Sequence, residues 1–277
     1  MKGILKGKKI GIVGAGNMGR ALALGMLRGK SVATRDLMAS DVDAAQRKGL
    51  SDAAGIAVTD KNAALAQFSE VMILAVKPQV MDAVLKELSG MVRPGQLILS
   101  IAAGVPLAKL EKALPKNSIV RVMPNTPALV GKGIAAICAG SRATKAETDI
   151  AAAILSCVGK CVVVPEFWMD AVTATSGSGP AYVYYFIEAL VAGAVRLGID
   201  PATAHTLVVE TFSGSLELLQ QSGESPETLR KRVTSPGGTT EAALHCMDEH
   251  HIKSLLGEAL AAAAARGKEL GNKWNLP

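Results

Sequence analysis

The sequence of 277 residues provides for one large or two ordinary domains, and its 49% hydrophobic and 19% charged residues are typical of a globular protein. A net charge of +6 and only 3% aromatic residues argue against nucleic-acid binding, which combines a basic face with stacking aromatics. No run approaches about 18 apolar residues, so no transmembrane helix or membrane association is expected. Four irregularly spaced cysteines predict free thiols in a cytoplasmic protein, and neither they nor the four histidines form a metal motif.

A strand, a glycine-rich turn and a helix are predicted at the start of the chain. The apolar run at residues 10–13 is followed by Gly14, Gly16 and Gly19. The first glycine would let the chain turn off the strand, the second would let a pyrophosphate approach the backbone, and the third would let the helix pack closely. The helix N-terminus would present free N–H groups to the phosphates, so the pattern predicts a dinucleotide site.

The second strand is predicted over residues 36–41 and ends in an acid. Asp41 lies about 20 residues beyond the glycines, where an acid can accept a hydrogen bond from the adenosine ribose and repel a 2′-phosphate. Ser40, Arg35 and Arg47 are close in sequence and could instead receive that phosphate. Asp41 could also merely cap the next helix. The choice between NAD and NADP therefore stays open.

Further apolar stretches predict the remaining strands of an α/β sheet. They cover residues 71–76, 96–101, 118–122, 133–139 and 161–164. The first of these is a continuous apolar run, as expected for a parallel strand covered on both faces. Alternation with helical segments predicts an N-terminal Rossmann-type, doubly wound domain over residues 1–165, with its ligands at the C-terminal ends of the strands.

Helical periodicity dominates residues 166–277, which predicts an all-α C-terminal domain. Residues 182–197 are apolar almost all round, the pattern of a helix that is buried on every face. Helix-start signals follow at Asp200–Pro201, Ser225–Pro226 and Thr239. Because so apolar a helix is not expected on the surface of a monomer, this domain is predicted to form a dimer.

Three stretches resemble the pyrroline-5-carboxylate reductase family: SGSGPAY at 176–182, RVMPNTP at 121–127 and VTSPGGTT at 233–240. The glycine motif, AVKP at 75–78 and IAAGV at 101–105 fit the same family, so the resemblance covers nearly the whole chain. It implies NAD(P)H-dependent reduction of the cyclic imine L-1-pyrroline-5-carboxylate to L-proline, the last step of proline biosynthesis. It also implies a homodimer or a larger ring of dimers.

Matched by position, the resemblance implies two sets of site residues. The cofactor residues would be Gly14, Ala15, Gly16, Asn17, Met18, Gly19, Ser40, Asp41, Asn62, Ala75, Val76, Lys77, Pro78, Ala102, Ala103, Gly104 and Asn125. The substrate residues would be Glu166, Ser235, Gly237, Gly238, Thr239 and Thr240. One departure is the basic run Arg230, Lys231 and Arg232, where members often carry an acidic or amide residue. Its effect on cofactor choice stays open.

The reaction needs little acid catalysis if the substrate arrives as the iminium. A neutral hydroxyl near the ring nitrogen suffices to orient it or to relay a proton, and Thr240, after a Gly-Gly turn at a helix start, suits that catalytic role. The N–H groups of residues 237–240 suit the substrate carboxylate. Helix capping is the alternative for Thr239 and Thr240.

Two further residues have competing interpretations. Glu166 could favour the iminium by its charge or be a solvated loop acid. For Lys77, contact with the cofactor or a structural role is favoured over a role in catalysis.

Two other functions compete with the reductase. A β-hydroxyacid dehydrogenase would need a stronger proton donor, usually a lysine on the helical domain, and residues 182–197 contain none. A non-catalytic dinucleotide-binding regulator would need no small polar segment such as SPGGTT.

Overall fold

The computed structural model describes residues 3–275, which form two compact units. The first unit comprises residues 3–178 together with 262–275, and the second comprises residues 179–261.

An eight-stranded sheet lies at the centre of the first unit. Its strands are β1 (Ile10–Val13), β2 (Leu37–Ser40), β3 (Ala57–Thr59), β4 (Val71–Leu74), β5 (Leu97–Ser100), β6 (Ser118–Met123), β7 (Gly133–Ala139) and β8 (Gly159–Val163). The order across the sheet is β3-β2-β1-β4-β5-β6-β7-β8, and β6 with β7 is its antiparallel pair. The sheet grows outward from β1 in both directions, so the predicted doubly wound α/β class is confirmed.

Helices cover both faces of this sheet. They are α1 (Asn17–Arg28), α2 (Ala44–Ala54), α3 (Asn62–Phe68), α4 (Met81–Leu88), α5 (Leu107–Ala113), α6 (Lys145–Leu155) and α7 (Met169–Val172). Two buried apolar clusters divide between the faces, one including α1, α2 and α6 and the other including α3, α4 and α5. Along β4, Val71 and Ile73 join the first cluster while Met72 and Leu74 join the second. This strand is therefore covered on both faces, as its continuous apolar run predicts.

The predicted strands lie where the sequence indicates, but the sequence reading missed β3. This strand is only three residues long, forms the edge of the sheet and has no buried residue. Without burial there is no apolar alternation to mark it.

The second unit is helical. Its helices are α8 (Gly179–Arg196), α9 (Pro201–Ser222), α10 (Pro226–Arg232) and α11 (Thr239–Glu249), and α12 (Ile252–Asn272) begins there and ends in the first unit. The predicted start signals are confirmed, because the Asp200 carboxylate accepts hydrogen bonds from two amides of α9 and the Ser225 hydroxyl accepts one from α10.

Helix α8 leaves much of its apolar surface exposed in the single chain. The sequence predicts burial on every face, yet Tyr184 is 57% exposed, Tyr185 71% and Leu197, just after the helix, 85%. The side chains are as apolar as expected, but one chain provides too few neighbours to cover them. Exposed apolar surface of this kind marks an interface with another subunit. No helix within residues 3–275 combines the length and apolarity that crossing a bilayer requires.

Candidate active site

The turn after β1 forms an open backbone cradle. Gly14 has a φ of +104°, and a Cβ there would approach the Ala75 carbonyl oxygen to 2.5 Å. A Cβ on Gly19 would overlap the Gly14 carbonyl, whereas one on Gly16 would meet no atom within 4 Å. Gly14 thus serves the turn, Gly16 leaves an open approach to the backbone, and Gly19 permits a close helix contact.

The N-terminus of α1 is free to receive an anion. Its N-cap is Gly16, which has no side chain to bind the first amides, and the first turn contains no acidic residue. The first N–H groups of a helix lack internal acceptors and carry a partial positive charge. The cradle and this helix end together fit the pyrophosphate of a dinucleotide, the ligand that the sequence predicts for Gly14 to Gly19.

Asp41 lies beside this cradle, immediately after β2. Its Oδ2 accepts a hydrogen bond from the Ala15 amide at 2.8 Å, and its Oδ1 accepts one from the Asp43 amide at 2.9 Å. The N-cap of α2 is Asp43, whose carboxylate accepts from Ala45 and Gln46. The alternative in which Asp41 only caps the next helix is therefore wrong, because Asp43 is the residue whose side chain caps α2.

Ser40 and Asn62 form a polar link beneath the same edge of the sheet. The Ser40 hydroxyl is buried and donates to Asn62 Oδ1 at 2.7 Å, while Asn62 Nδ2 donates to Glu87 at 2.8 Å. The link connects β2 to α3 and α4. The hydroxyl of Ser40 is consequently engaged inside the protein.

The other predicted cofactor residues follow β4, β5 and β6. Residues 75–78 follow β4 and residues 102–104 follow β5, and the parallel register puts both segments at the sheet edge that carries the glycine turn. Lys77 is exposed there and is followed by a short 3-10 helix. Asn125, after β6, donates to the Ser176 carbonyl at 3.2 Å and accepts from the Ile134 amide at 3.0 Å. Both ends of its side-chain amide therefore join segments of the protein.

Glu166 is tied into the first unit. Its Oε1 accepts from the Leu107 amide at the start of α5 at 2.7 Å and from Arg121 Nη1 at 3.1 Å. The Arg121 side chain is only 9% exposed, whereas that of Glu166 is 37% exposed. The interpretation of Glu166 as a freely solvated loop acid is wrong, because its carboxylate holds a buried cation and a helix end.

Sequence reasoning missed Arg121 as a partner of Glu166. The signal was present, since Arg121 is the single charged residue in the mostly apolar strand β6. A cavity of about 210 Å³ adjoins the ion pair and is lined also by Gly104, Asp170 and Lys268 of the same unit.

The segment at 235–240 forms the start of α11. Gly238 is its N-cap without a side-chain bond, and Gly237, at a φ of +69°, donates its amide to Glu241 at 2.7 Å. The amides of Thr239, Thr240 and Glu241 occupy the first turn, where no backbone acceptor is available. Among residues 3–275, the hydroxyls of the two threonines have no hydrogen-bond partner. Their side chains therefore do not cap the helix. Two of the predicted amides are already taken, because Gly238 also donates its own amide to the Ser235 carbonyl at 3.0 Å.

The fold and the glycine cradle define an oxidoreductase of the Rossmann type that binds a nicotinamide dinucleotide. A pyrroline-5-carboxylate reductase from Synechocystis sp. is 42% identical over 266 residues, covering 96% of this chain and 99% of that protein, and residues 166–270 match the family model "Pyrroline-5-carboxylate reductase dimerisation". The chain therefore belongs to the pyrroline-5-carboxylate reductase family. Residues 9–104 also match the model "NADP oxidoreductase coenzyme F420-dependent".

Solved structures agree with this assignment. A pyrroline-5-carboxylate reductase from Coxiella burnetii is 33% identical with a TM-score of 0.90, covering 95% of this chain and 98% of that one. A pyrroline carboxylate reductase from Plasmodium falciparum, solved with NADP bound, is 30% identical with a TM-score of 0.85, covering 96% and 98%. The chain is thus an NAD(P)-dependent oxidoreductase acting on a CH–NH bond, and the match to a dimerisation domain makes it a subunit of an oligomer.

Proposed function

We propose that the protein reduces L-1-pyrroline-5-carboxylate to L-proline with NAD(P)H, as the last step of proline biosynthesis. The observation that carries the proposal is the start of α11. A helix N-terminus with free amides and an unengaged Thr240 hydroxyl stands in a chain that also has a dinucleotide cradle. A small cyclic imine with one carboxylate needs these two kinds of group.

The cofactor residues would hold the dinucleotide through the glycine turn, the segment after β2 and the turns after β4 to β6. Bound NAD(P)H supplies the hydride for the imine carbon. The amides of Thr239 and Thr240 receive the substrate carboxylate at the positive end of α11. The Thr240 hydroxyl orients the ring nitrogen. For a substrate that arrives as the neutral imine, it passes the nitrogen one proton, which solvent replaces. Holding the two reactants in position supplies part of the acceleration.

Glu166 has a narrower role in this proposal than its charge suggests. Arg121 neutralises the carboxylate through Oε1, so a general attraction for an iminium is weakened. The second oxygen, Oε2, has no hydrogen-bond partner among residues 3–275 and is available to the substrate or to its water. Glu166 therefore acts as a positioning group that also fixes the start of α5.

We further propose that residues 1–165 bind the dinucleotide and residues 166–277 provide dimerisation and substrate binding, in a homodimer or a ring of dimers. The exposed apolar residues of α8 support the subunit contact. All four cysteines are free, which is in keeping with action in the reducing cytoplasm.

The test is an assay of the purified protein with pyrroline-5-carboxylate and either NADH or NADPH, followed at the nicotinamide absorbance and by identification of proline. We expect substrate-dependent oxidation of the cofactor and formation of one proline per oxidised nicotinamide. Thr240→Ala should lower turnover by about 10-fold or more, while Thr240→Ser keeps most of it. Thr206→Ala is the matched control and should keep normal turnover, since it removes an exposed threonine hydroxyl that donates to the Ala202 carbonyl of its own helix. Cofactor that stays reduced under all conditions would overturn the proposal.

A further inference from the structure

The carboxylate of Asp41 is fixed beside the dinucleotide cradle. Backbone amides from Ala15, inside the glycine turn, and from Asp43 hold its two oxygens at 2.8 and 2.9 Å. In a Rossmann fold the end of the second strand lies against the adenosine ribose. An ionised carboxylate only accepts hydrogen bonds, so it suits a 2′-hydroxyl donor and opposes a 2′-phosphate.

Two residues that could have received a 2′-phosphate cannot do so. The Ser40 hydroxyl is buried and donates to Asn62. Arg35 lies in the short helix before β2, so the whole strand of Leu37–Ser40, about 13 Å, separates it from the end that carries Asp41. Neither residue can neutralise a phosphate beside the ribose.

Arg47 of α2 is a cation that contacts Asp41. Its Nη1 donates to the Asp41 main-chain carbonyl at 2.7 Å, so the guanidinium is anchored next to the carboxylate. The loop that follows β3 lies beside Asp41, because the Asp41 amide donates to the Thr59 main-chain carbonyl at 3.2 Å. This loop contains Asp60 and Lys61. The loops after β2 and β3 thus contain three acids, Asp41, Asp43 and Asp60, and one cation, Lys61, so a phosphate dianion there would raise the repulsion.

We infer that Asp41 makes this enzyme select NADH over NADPH. The inference rests on the proposed function for its physiological meaning and concerns the same cofactor site. The carboxylate accepts the hydrogen bond of the ribose 2′-hydroxyl in NADH. In NADPH the same carboxylate meets a doubly charged phosphate, which is a like-charge contact that discriminates by repulsion.

Binding without substrate tests the inference independently of turnover. Calorimetric titration of the wild-type protein with NADH and NADPH should show NADH bound about 10-fold more tightly or better. Asp41→Asn keeps an oxygen acceptor for the Ala15 amide and removes the charge, and Asp41→Ser removes the charge and shortens the side chain. Both variants should weaken NADH, strengthen NADPH and bring the ratio of dissociation constants near or below one.

Asp52→Ser is the matched control, because Asp52 is an exposed acid of α2 that pairs with Lys48. It should leave the ratio unchanged. Equal or tighter binding of NADPH by the wild type would overturn the inference, as would an equal loss for both cofactors in a folded Asp41→Asn variant. If NADH binds selectively but pyrroline-5-carboxylate is not reduced, the inference stands and the proposed function fails.

Discussion

Removing either member of the Arg121–Glu166 pair should destabilise the protein unequally. Arg121 is almost fully buried at 9% side-chain exposure, whereas Glu166 is 37% exposed. In Glu166→Ala the buried guanidinium loses its counter-ion and the Leu107 amide loses its acceptor. In Arg121→Met the carboxylate left behind can still be hydrated, and an apolar chain fills the buried space.

The magnitude follows from these environments. Breaking a fully buried ion pair costs about 3–5 kcal/mol. Because Glu166 is partly solvated, we reduce this to about 2–4 kcal/mol for Glu166→Ala and about 1 kcal/mol for Arg121→Met. Glu166→Gln keeps an acceptor for the Leu107 amide and should lie between the two. The free energy of unfolding is measured by urea at one protein concentration, because an oligomer's apparent stability depends on concentration.

The double variant completes a thermodynamic cycle. Glu166→Ala with Arg121→Met should cost less than the two single changes added together, since no buried charge is left alone. Additive costs would show that the two groups do not interact and would refute this account of Glu166. A Glu166→Gln enzyme with normal stability and a raised KM for the imine alone would instead make Glu166 a pure substrate ligand.

Three further outcomes are expected. Gly16→Val should raise the KM for the cofactor in a folded protein, because a branched side chain enters the open approach above the turn, and unchanged cofactor affinity would count against the cradle. Light scattering should give the wild type the mass of a dimer or a larger oligomer. Tyr185→Asp, on the exposed face of α8, should shift the mass towards the 28.6 kDa monomer. A wild-type monomer at micromolar concentration would refute an interface through α8. Burial raises the pKa of Cys161 to about 11, so its thiol should be alkylated more slowly at pH 8 than added free cysteine, and equal labelling rates seen by mass spectrometry would contradict this.

Elements with strong local chemistry could be predicted from the sequence. The glycine turn, the Asp-Pro and Ser-Pro helix starts and the continuous apolar strand β4 each carry their cause within a few residues. Strand β3 could not be predicted, because a three-residue edge strand buries nothing and leaves no pattern. The exposure of α8 in the single chain is what the predicted dimer requires, because so apolar a surface is then covered by another subunit.

Parts of the candidate site could likewise be predicted from the sequence, and other parts could not. The residue types at 235–240 indicate a turn and a helix start, and that is what the chain forms. The Arg121–Glu166 pair joins residues 45 positions apart, so only the folded sheet brings them together. The lone arginine in an apolar strand was a visible sign that a partner had to exist, but the sequence could not say which acid it was.

If Asp41 selects the cofactor as inferred, the spacing of two acids lets one of them start a helix while the other contacts the cofactor. Asp43 satisfies the free amides of α2, with its carboxylate accepting from Ala45 at 2.8 Å. Asp41 is thereby released from capping and is held towards the glycine turn by the Ala15 amide. A single acid cannot serve both tasks, because each needs its oxygens at a different helix or turn. The Asp-Val-Asp order thus separates stability from recognition, so that Asp43→Ala should cost about 1 kcal/mol of stability while leaving the preference between NADH and NADPH unchanged.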